Sequence, residues 1–181
     1  MTKKIVSILI VLFAFGAVMA QDGRVFNKTI LETDIAVNGF TAAIQERTFY
    51  VEGYLYPAGT LNDSNGINPD GTPEFPDLLI GRWTCSGWFV GDRTDENFIV
   101  GALTNQIFEF DSETPGNDTI VTYGIENGEF ATVFTRAVIG GTGQYADAEG
   151  EQKQAIIGVN AAGTVNMAVS FDKVFKIQFK K

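Results

Sequence analysis

The clearest candidate for acid–base chemistry is Glu52, which lies in a segment of alternating residues. Its own parity carries tyrosines and the other parity carries apolar residues: Tyr50, Tyr54 and Tyr56 against Phe49, Val51 and Leu55. If the tyrosine side of this strand faces an interior, Glu52 is a desolvated acid suited to general acid–base catalysis. If the apolar side faces the interior, Glu52 is a solvated surface charge. We therefore assign Glu52 a candidate catalytic role and Tyr54 a candidate ligand contact, with both orientations open.

Arg136 is the second candidate for chemistry, because it is a charged residue within an apolar segment. It shares strand parity with Phe134 and Val138. An inward guanidinium would anchor a carboxylate or an oxyanion, whereas an outward one would be an ordinary surface charge. The sequence leaves both orientations open. We assign Arg136 a candidate catalytic role and expect Phe134 and Gln106, another polar residue among apolar neighbours, to contact a ligand.

Trp83 and Cys85 share one parity of an alternating segment at 79–90, and that parity predicts that both face inward. They form either a cavity wall or ordinary core packing, because an unpaired cysteine is most often a small buried hydrophobe. Both are candidate ligand contacts. Cys85 is a poor nucleophile, since the chain contains no histidine and no evident base beside it.

The composition excludes several common catalytic and metal-binding sites. The chain has no histidine and one cysteine, which excludes Ser-His-Asp and Cys-His catalysis, His-ligated metals, thiolate zinc clusters and internal disulfides. The acidic residues lack the regular spacing of a calcium-binding loop, so no metal is expected. With 22 acidic and 13 basic residues the net charge is −9, which argues against nucleic acid and anionic membranes as partners.

These residues must be positioned by β-strands, because the dominant spacing of apolar residues is two. Eight segments show it, near residues 29–40, 49–56, 79–90, 98–110, 119–125, 130–139, 148–159 and 165–179. Turn-forming residues separate them, including a long loop at 62–76 and a predicted type I′ hairpin turn at Asn127-Gly128. Residues 39–47 could hold a short turn of helix. Eight such strands predict an all-β antiparallel barrel or sandwich.

The first twenty residues predict a signal peptide. Lys3 and Lys4 precede an apolar run from Ile5 to Val18, and Val18 and Ala20 place small residues where a signal peptidase reads. The run is shorter than the about 20 residues that a membrane-spanning helix needs. We predict cleavage after Ala20, a secreted protein (periplasmic or extracellular), no membrane span after cleavage, and one domain over residues 21–181.

The most distinctive string is Gly140-Gly141-Thr142-Gly143-Gln144-Tyr145, followed by Ala146-Asp147-Ala148-Glu149-Gly150. It resembles the Gly-Gly-Thr-Gly-x-aromatic turn of the dirigent and allene oxide cyclase superfamily. The strings at 49–53, 81–87 and 106–110 agree with that family in order and spacing, and Glu149 stands where the family usually has a basic residue. The resemblance covers roughly residues 26–181. We expect Gly141 or Gly143 to need a positive φ.

The resemblance implies an eight-stranded antiparallel barrel around a largely apolar cavity, without metal or organic cofactor. Cyclases of this superfamily steer the ring closure of a reactive substrate. Dirigents orient intermediates made by another enzyme, and members often form dimers or trimers. Both activities depend on holding reactants in one geometry. We expect a barrel that steers cyclisation or coupling of a small hydrophobic molecule, the alternatives being a non-catalytic carrier and a structural barrel with a filled interior.

Overall fold

Alternating sequence becomes strand along most of the chain. The computed structural model describes residues 17–19, 25–91, 99–110 and 113–177. The strands are β1 (Ala17–Met19), β2 (Val25–Ala43), β3 (Thr48–Pro57), β4 (Gly81–Gly91), β5 (Ile99–Glu109), β6 (Thr119–Glu126), β7 (Phe134–Gly141), β8 (Gly150–Val159) and β9 (Val165–Ile177). The described helices are three short 3-10 turns at Ile44–Glu46, Pro76–Leu78 and Gly143–Tyr145, and no helix in these ranges is long and apolar enough to cross a membrane.

The eight strands β2–β9 form a closed antiparallel barrel. Each strand pairs with the next along the chain, and β2 also pairs with β9 over Val25–Ala36, which closes the sheet. The prediction of an all-β, eight-stranded antiparallel barrel is therefore confirmed, and the sandwich alternative is wrong. Closure gives every barrel strand two neighbours and leaves no unpaired edge between them. The short β1 lies within the predicted leader and pairs with Val25–Asn27.

The connection from β6 to β7 differs from the predicted tight turn. Neither Asn127 nor Gly128 has a positive φ, whereas Ala131 does, at 56°. The last register pair of this hairpin is Tyr123 with Ala137. The chain therefore makes a wide loop over residues 127–133, and β7 begins at Phe134 rather than near residue 130. This loop leaves Glu126 at the end of β6 instead of in a turn.

One end of the barrel is filled by apolar side chains. Phe108 and Phe171 pack edge to face, with ring centroids 4.8 Å apart. Ile120 and Val138 are buried in the same cluster, and Tyr145 packs against it. The opposite end, where β2 joins β3 and β8 joins β9, is not filled in this way and contains a cavity.

The long loop at residues 58–80 has a small core of its own. Leu61 and Ile67 pack with Ala36 and Tyr56 on the outer side of β2 and β3. The Tyr56 hydroxyl donates to the carbonyl of Gly66 at 2.6 Å. The predicted loop is thus confirmed, and it covers one side of the barrel as an ordered layer.

The glycine-rich string forms the turn between β7 and β8. Gly143 has a φ of 57°, as expected for one of the two glycines, whereas Gly141 does not have a positive φ. Asp118 accepts hydrogen bonds from the backbone N–H of Gln144 at 2.8 Å and from its side chain at 3.0 Å. The turn is therefore held against the loop that precedes β6.

Candidate functional site

A cavity of about 800 Å³ opens at the end of the barrel where β2 joins β3 and β6 joins β7. Its wall is mostly apolar and comes from nearly every strand. The side chains deepest in the wall include Val51, Trp83, Cys85, Gln154 and Met167. A volume of this size is typical of sites for small organic ligands.

The mouth of the cavity is aromatic. Phe49 and Phe89 have ring centroids 4.9 Å apart, and Phe40 stacks on Phe49 at 5.8 Å. Phe40 is 55% exposed, although it belongs to the cavity lining. Three aromatic rings therefore lie together at this end of the cavity.

Glu126 is the acidic group inside this apolar enclosure. Its carboxylate accepts hydrogen bonds at Oε2 from the side-chain amides of Gln106, at 3.1 Å, and Gln154. Its other oxygen, Oε1, lies 3.6 Å from the Cys85 thiol. The Glu126 side chain keeps 17% of its surface exposed, so it is the charged group of this cluster that a ligand can reach.

Arg136 faces inward but lies behind Glu126. All three guanidinium nitrogens donate: Nε to Thr122 Oγ1 at 3.3 Å, Nη2 to the Thr104 carbonyl at 2.8 Å, and Nη1 to Thr104 Oγ1. Nη1 also lies 3.6 Å from Glu126 Oε2, and the Arg136 side chain has no exposed surface. Burial lowers the pKa of Arg136, and the nearby Glu126 carboxylate opposes that shift. Of the two orientations that the sequence left open, the structure shows the inward one, and protein atoms occupy the donors with which Arg136 was expected to anchor a ligand anion.

Three glutamines connect the polar wall. The Gln152 amide nitrogen donates to Gln106 Oε1 at 3.0 Å and to Gln154 Oε1 at 2.7 Å. Gln106 and Gln154 in turn donate to Glu126. Two of the three amides therefore donate directly to the Glu126 carboxylate, and Gln152 donates to the oxygens of those two amides. Gln106 was expected to contact a ligand, but it is fully buried and does not line the cavity. Its hydrogen bond positions Glu126 instead.

Trp83, Cys85 and Phe134 lie in the cavity wall, where their strand parity places them. Trp83 is 3% exposed, and its indole nitrogen has no hydrogen-bond partner. Burial, reinforced by Glu126, strongly raises the pKa of the Cys85 thiol. A thiol held in its protonated form is a poor nucleophile, in agreement with the sequence.

Glu52 and Tyr54 are not part of the cavity. Glu52 is exposed on the outer face of β3, where it accepts a hydrogen bond from Tyr50 at 2.9 Å. Tyr54 also lies outside and donates to the carbonyl of Gly71 in the long loop at 3.1 Å. The interior orientation of both residues is therefore wrong. Phe49, Val51 and Leu55 fill the inner face of β3 instead, because burying them removes more apolar surface from water.

Glu126 is the residue that sequence reasoning missed. The predicted strand ends one residue before it, at residue 125, because Asn127-Gly128 predicts a tight turn. Its parity with Ile120 and Thr122, both fully buried in β6, is the signal that could have revealed it. In the described part of the chain, no group of three carboxylate or thiol side chains comes together to hold a metal ion.

No protein-family model matches the sequence, and no curated protein matches it. Solved structures do match the fold. A pyocyanin demethylase aligns with a TM-score of 0.52 at 14% identity, over 81% of this chain and 99% of that one. A pterocarpan synthase dirigent protein aligns with a TM-score of 0.55 at 16% identity, over 89% of this chain and 94% of that one. The barrel has the dirigent fold.

A second pterocarpan synthase dirigent protein gives the same TM-score of 0.55 at 14% identity, over 85% of this chain and 97% of that one. The resemblance read from the glycine-rich turn is thus confirmed for the architecture. Because fold alone does not fix activity, the function of this dirigent-type barrel has to be argued from its cavity.

Proposed function

We propose that this protein binds a small, largely hydrophobic molecule in its barrel and steers that molecule's cyclisation or coupling. The observation that carries the proposal is one carboxylate, Glu126, presented inside an otherwise apolar cavity of about 800 Å³. Aromatic and aliphatic side chains exclude water from the apolar part of a ligand. Glu126 then fixes its polar end, which limits the ligand to few orientations.

Fixing a ligand at two points is the form of catalysis that such a site can supply. Holding reactive groups in one geometry removes the entropic cost of finding it. The alternative of a filled structural interior is disfavoured by the cavity. A non-catalytic carrier remains the second candidate, because an apolar cavity with one polar anchor also retains a ligand without converting it.

Binding is tested by the fluorescence of Trp83. Trp88 lies on the outer face and is 54% exposed, so the variant Trp88→Phe leaves Trp83 as the sole indole of the barrel. Titration with 4-butylbenzyl alcohol should give a saturable change. Glu126→Gln should weaken it, whereas Glu52→Gln, on the outside, should not. The absence of saturable binding would reject the proposed site.

The stereochemistry of a coupled product distinguishes a barrel that steers a reaction from a non-catalytic carrier. A 4-propenylphenol is coupled by an added one-electron oxidant, with and without the protein, and the enantiomeric ratio is measured by chiral chromatography. A steering barrel gives an excess of one enantiomer that Glu126→Gln reduces. A racemic product, with the phenol shown to bind, supports the carrier.

Export belongs to the same proposal. Cleavage after Ala20 would remove β1 and leave all eight barrel strands, β2–β9, in the mature chain. Intact-mass measurement of the exported protein should place its N-terminus at Gln21. A mature protein that retains Met1 would contradict the predicted signal peptide.

A further inference from the structure

We propose that the cavity selects hydrophobic ligands whose polar end is a hydrogen-bond donor, neutral or cationic, and discriminates against anions. This inference rests on the proposed function, because it concerns the ligand class of the same cavity. It extends that function by predicting which of several molecules of equal size and apolarity will bind.

In the described part of the chain, the charged side chains that line the cavity all have the same sign. Among the described residues that line it, the ionisable acids are Glu126 and Glu129, and there is no lysine or arginine. Glu126 lies in the wall and Glu129 lies on the β6–β7 loop at the mouth. The chain as a whole carries a net charge of −9. An anionic ligand would therefore leave water for a site that offers it no counter-charge.

The two oxygens of Glu126 differ in what they can still accept. Oε2 receives the amides of Gln106 and Gln154 and faces Arg136. Oε1 accepts from the Cys85 thiol at 3.6 Å, and a thiol is a weak donor. Because each carboxylate oxygen has two lone pairs, Oε1 keeps the capacity to accept a hydrogen bond from a ligand.

Arg136 cannot turn to serve an anion without losing its own partners. Its guanidinium is held by Thr104 and Thr122 and by the Gly124 carbonyl at 3.5 Å. Moving the guanidinium away would leave buried acceptors without a donor. Each unpaired acceptor costs more free energy than a typical hydrogen bond contributes to stability. The cation of this cluster thus fixes Glu126 from behind, and only the acceptor faces the ligand.

The inference is tested with three ligands of the same carbon skeleton: 4-butylbenzyl alcohol, 4-butylbenzylamine and 4-butylbenzoate. Their dissociation constants are measured on the wild-type protein at pH 7 by isothermal titration calorimetry. The alcohol and the amine should bind saturably, and the carboxylate should bind at least about tenfold more weakly, because it approaches a fixed carboxylate at short range. Equal or tighter binding of the carboxylate would overturn the inference and leave the proposed function standing.

Variants identify the group responsible. Glu126→Gln places an amide donor in the wall. The dissociation constants of the alcohol and the carboxylate should then differ by less than about threefold. Because this change leaves Arg136 without its counter-charge, the double variant Glu126→Gln/Arg136→Met is measured beside it. The outer-face variant Glu52→Gln should keep the wild-type preference. An unchanged preference in both Glu126 variants would overturn the role of Glu126, and failure of all three ligands to bind the wild type would overturn the proposed function as well.

Discussion

Arg136 and Glu126 form a largely buried pair of opposite charges in the wall of the barrel cavity. Taking such charges out of water is costly, and the cost is met only if both are fully hydrogen-bonded. Here Thr104, Thr122 and the glutamines supply those bonds. The pair is therefore a fixed structural unit whose reachable end is the carboxylate.

Removing one member of this pair should be strongly destabilising. Arg136→Met leaves the Thr104 carbonyl and Glu126 without their charged partner. We expect a loss of about 3 kcal/mol in the free energy of unfolding, the low end for buried pairs because Glu126 is partly open. Urea denaturation followed by circular dichroism measures it.

The control for that variant is Lys153→Met. Lys153 lies 4.0 Å from Asp172 on the barrel surface, with 48% of its side chain exposed. Exposed pairs of this kind contribute less than about 1 kcal/mol. Equal losses in the two variants would contradict the structural importance of the buried pair.

The sequence predicted the orientation of site residues better than their roles. Trp83 and Cys85 follow directly from alternation, because a period of two assigns each residue to one face. Alternation cannot tell which face of β3 is inside when both carry large side chains, so Glu52 and Tyr54 were left open. A strong turn signal conceals Glu126, and its partners Gln106 and Arg136 come from the two adjacent strands, β5 and β7, whose register the sequence does not show.

At the scale of single elements, the turn between β7 and β8 depends on a glycine. A Cβ at Gly143 would lie 2.0 Å from the Asp118 carboxylate, and the backbone there has a φ of 57°. Gly143→Val should therefore cost about 1–3 kcal/mol of stability. The thermal midpoint by differential scanning calorimetry reports the change.

Gly158 provides the matched glycine. It lies in β8 at a register shift, and a Cβ there meets nothing within 4 Å. Gly158→Val should change the thermal midpoint far less than Gly143→Val. If both glycine variants have the wild-type midpoint, the turn does not depend on this conformation.

The long loop is tied to the barrel by a buried carboxylate. Asp34 is 2% exposed and accepts a hydrogen bond from the Leu61 backbone at 2.9 Å. Desolvation raises its pKa, and the backbone hydrogen bonds from the loop only partly oppose this. The folded state therefore binds the Asp34 proton more tightly than the unfolded state does.

This linkage predicts how stability depends on pH. The contribution of Asp34 is fully present below its unfolded pKa, about 3.9, and is lost as the pH rises through the higher folded pKa. Asp34→Asn should remove that decline, so the stability difference between variant and wild type should shift in favour of the variant as the pH rises from 4 to 7. Urea midpoints across this range measure it.

Asp70 offers a contrast on the same loop. It is exposed, and hydrogen bonds from Thr72 lower its pKa, so its contribution has the opposite sign and, in solvent, a small size. As the pH rises, Asp70→Asn should become slightly less stable relative to the wild type. A stability difference for Asp34→Asn that does not vary with pH would contradict the raised pKa.

Most element boundaries could be predicted because strands are the simplest pattern to read. The terminal residues of β3 and β8 fall within two positions of the expected ones. The β6–β7 loop could not be predicted, since Asn-Gly favours a tight turn locally. In the barrel, Phe130 instead bridges to Ile156 of β8 and holds the chain in a wider path.

At the scale of the whole molecule, the outer face of β4, β5 and β6 carries a patch of exposed apolar side chains. Across β4, β5 and β6 the register brings Trp88 beside Leu103 and Leu103 beside Ile125. Ile125 is 63% exposed and Trp88 is 54% exposed. Apolar patches of this kind commonly mark interaction sites.

We predict that a second copy of the chain covers this patch. Two copies with a net charge of −9 each repel one another least where they meet through apolar side chains. Light scattering after gel filtration should give a dimer or a trimer, and Ile125→Lys should give the monomer. Glu151→Lys, which puts the same side chain on the exposed face of β8, should leave the assembly intact. A monomeric wild type would contradict the prediction.

The position of the only cysteine makes its chemical labelling a measure of access to the cavity. Cys85 is 2% exposed and lines the cavity, and its raised pKa keeps the thiol unreactive while the barrel is closed. Alkylation by a small maleimide therefore requires that the reagent enter the cavity and that the thiol lose its proton. The labelling rate therefore reports whether the cavity is free, and a ligand bound beside Glu126 should lower it.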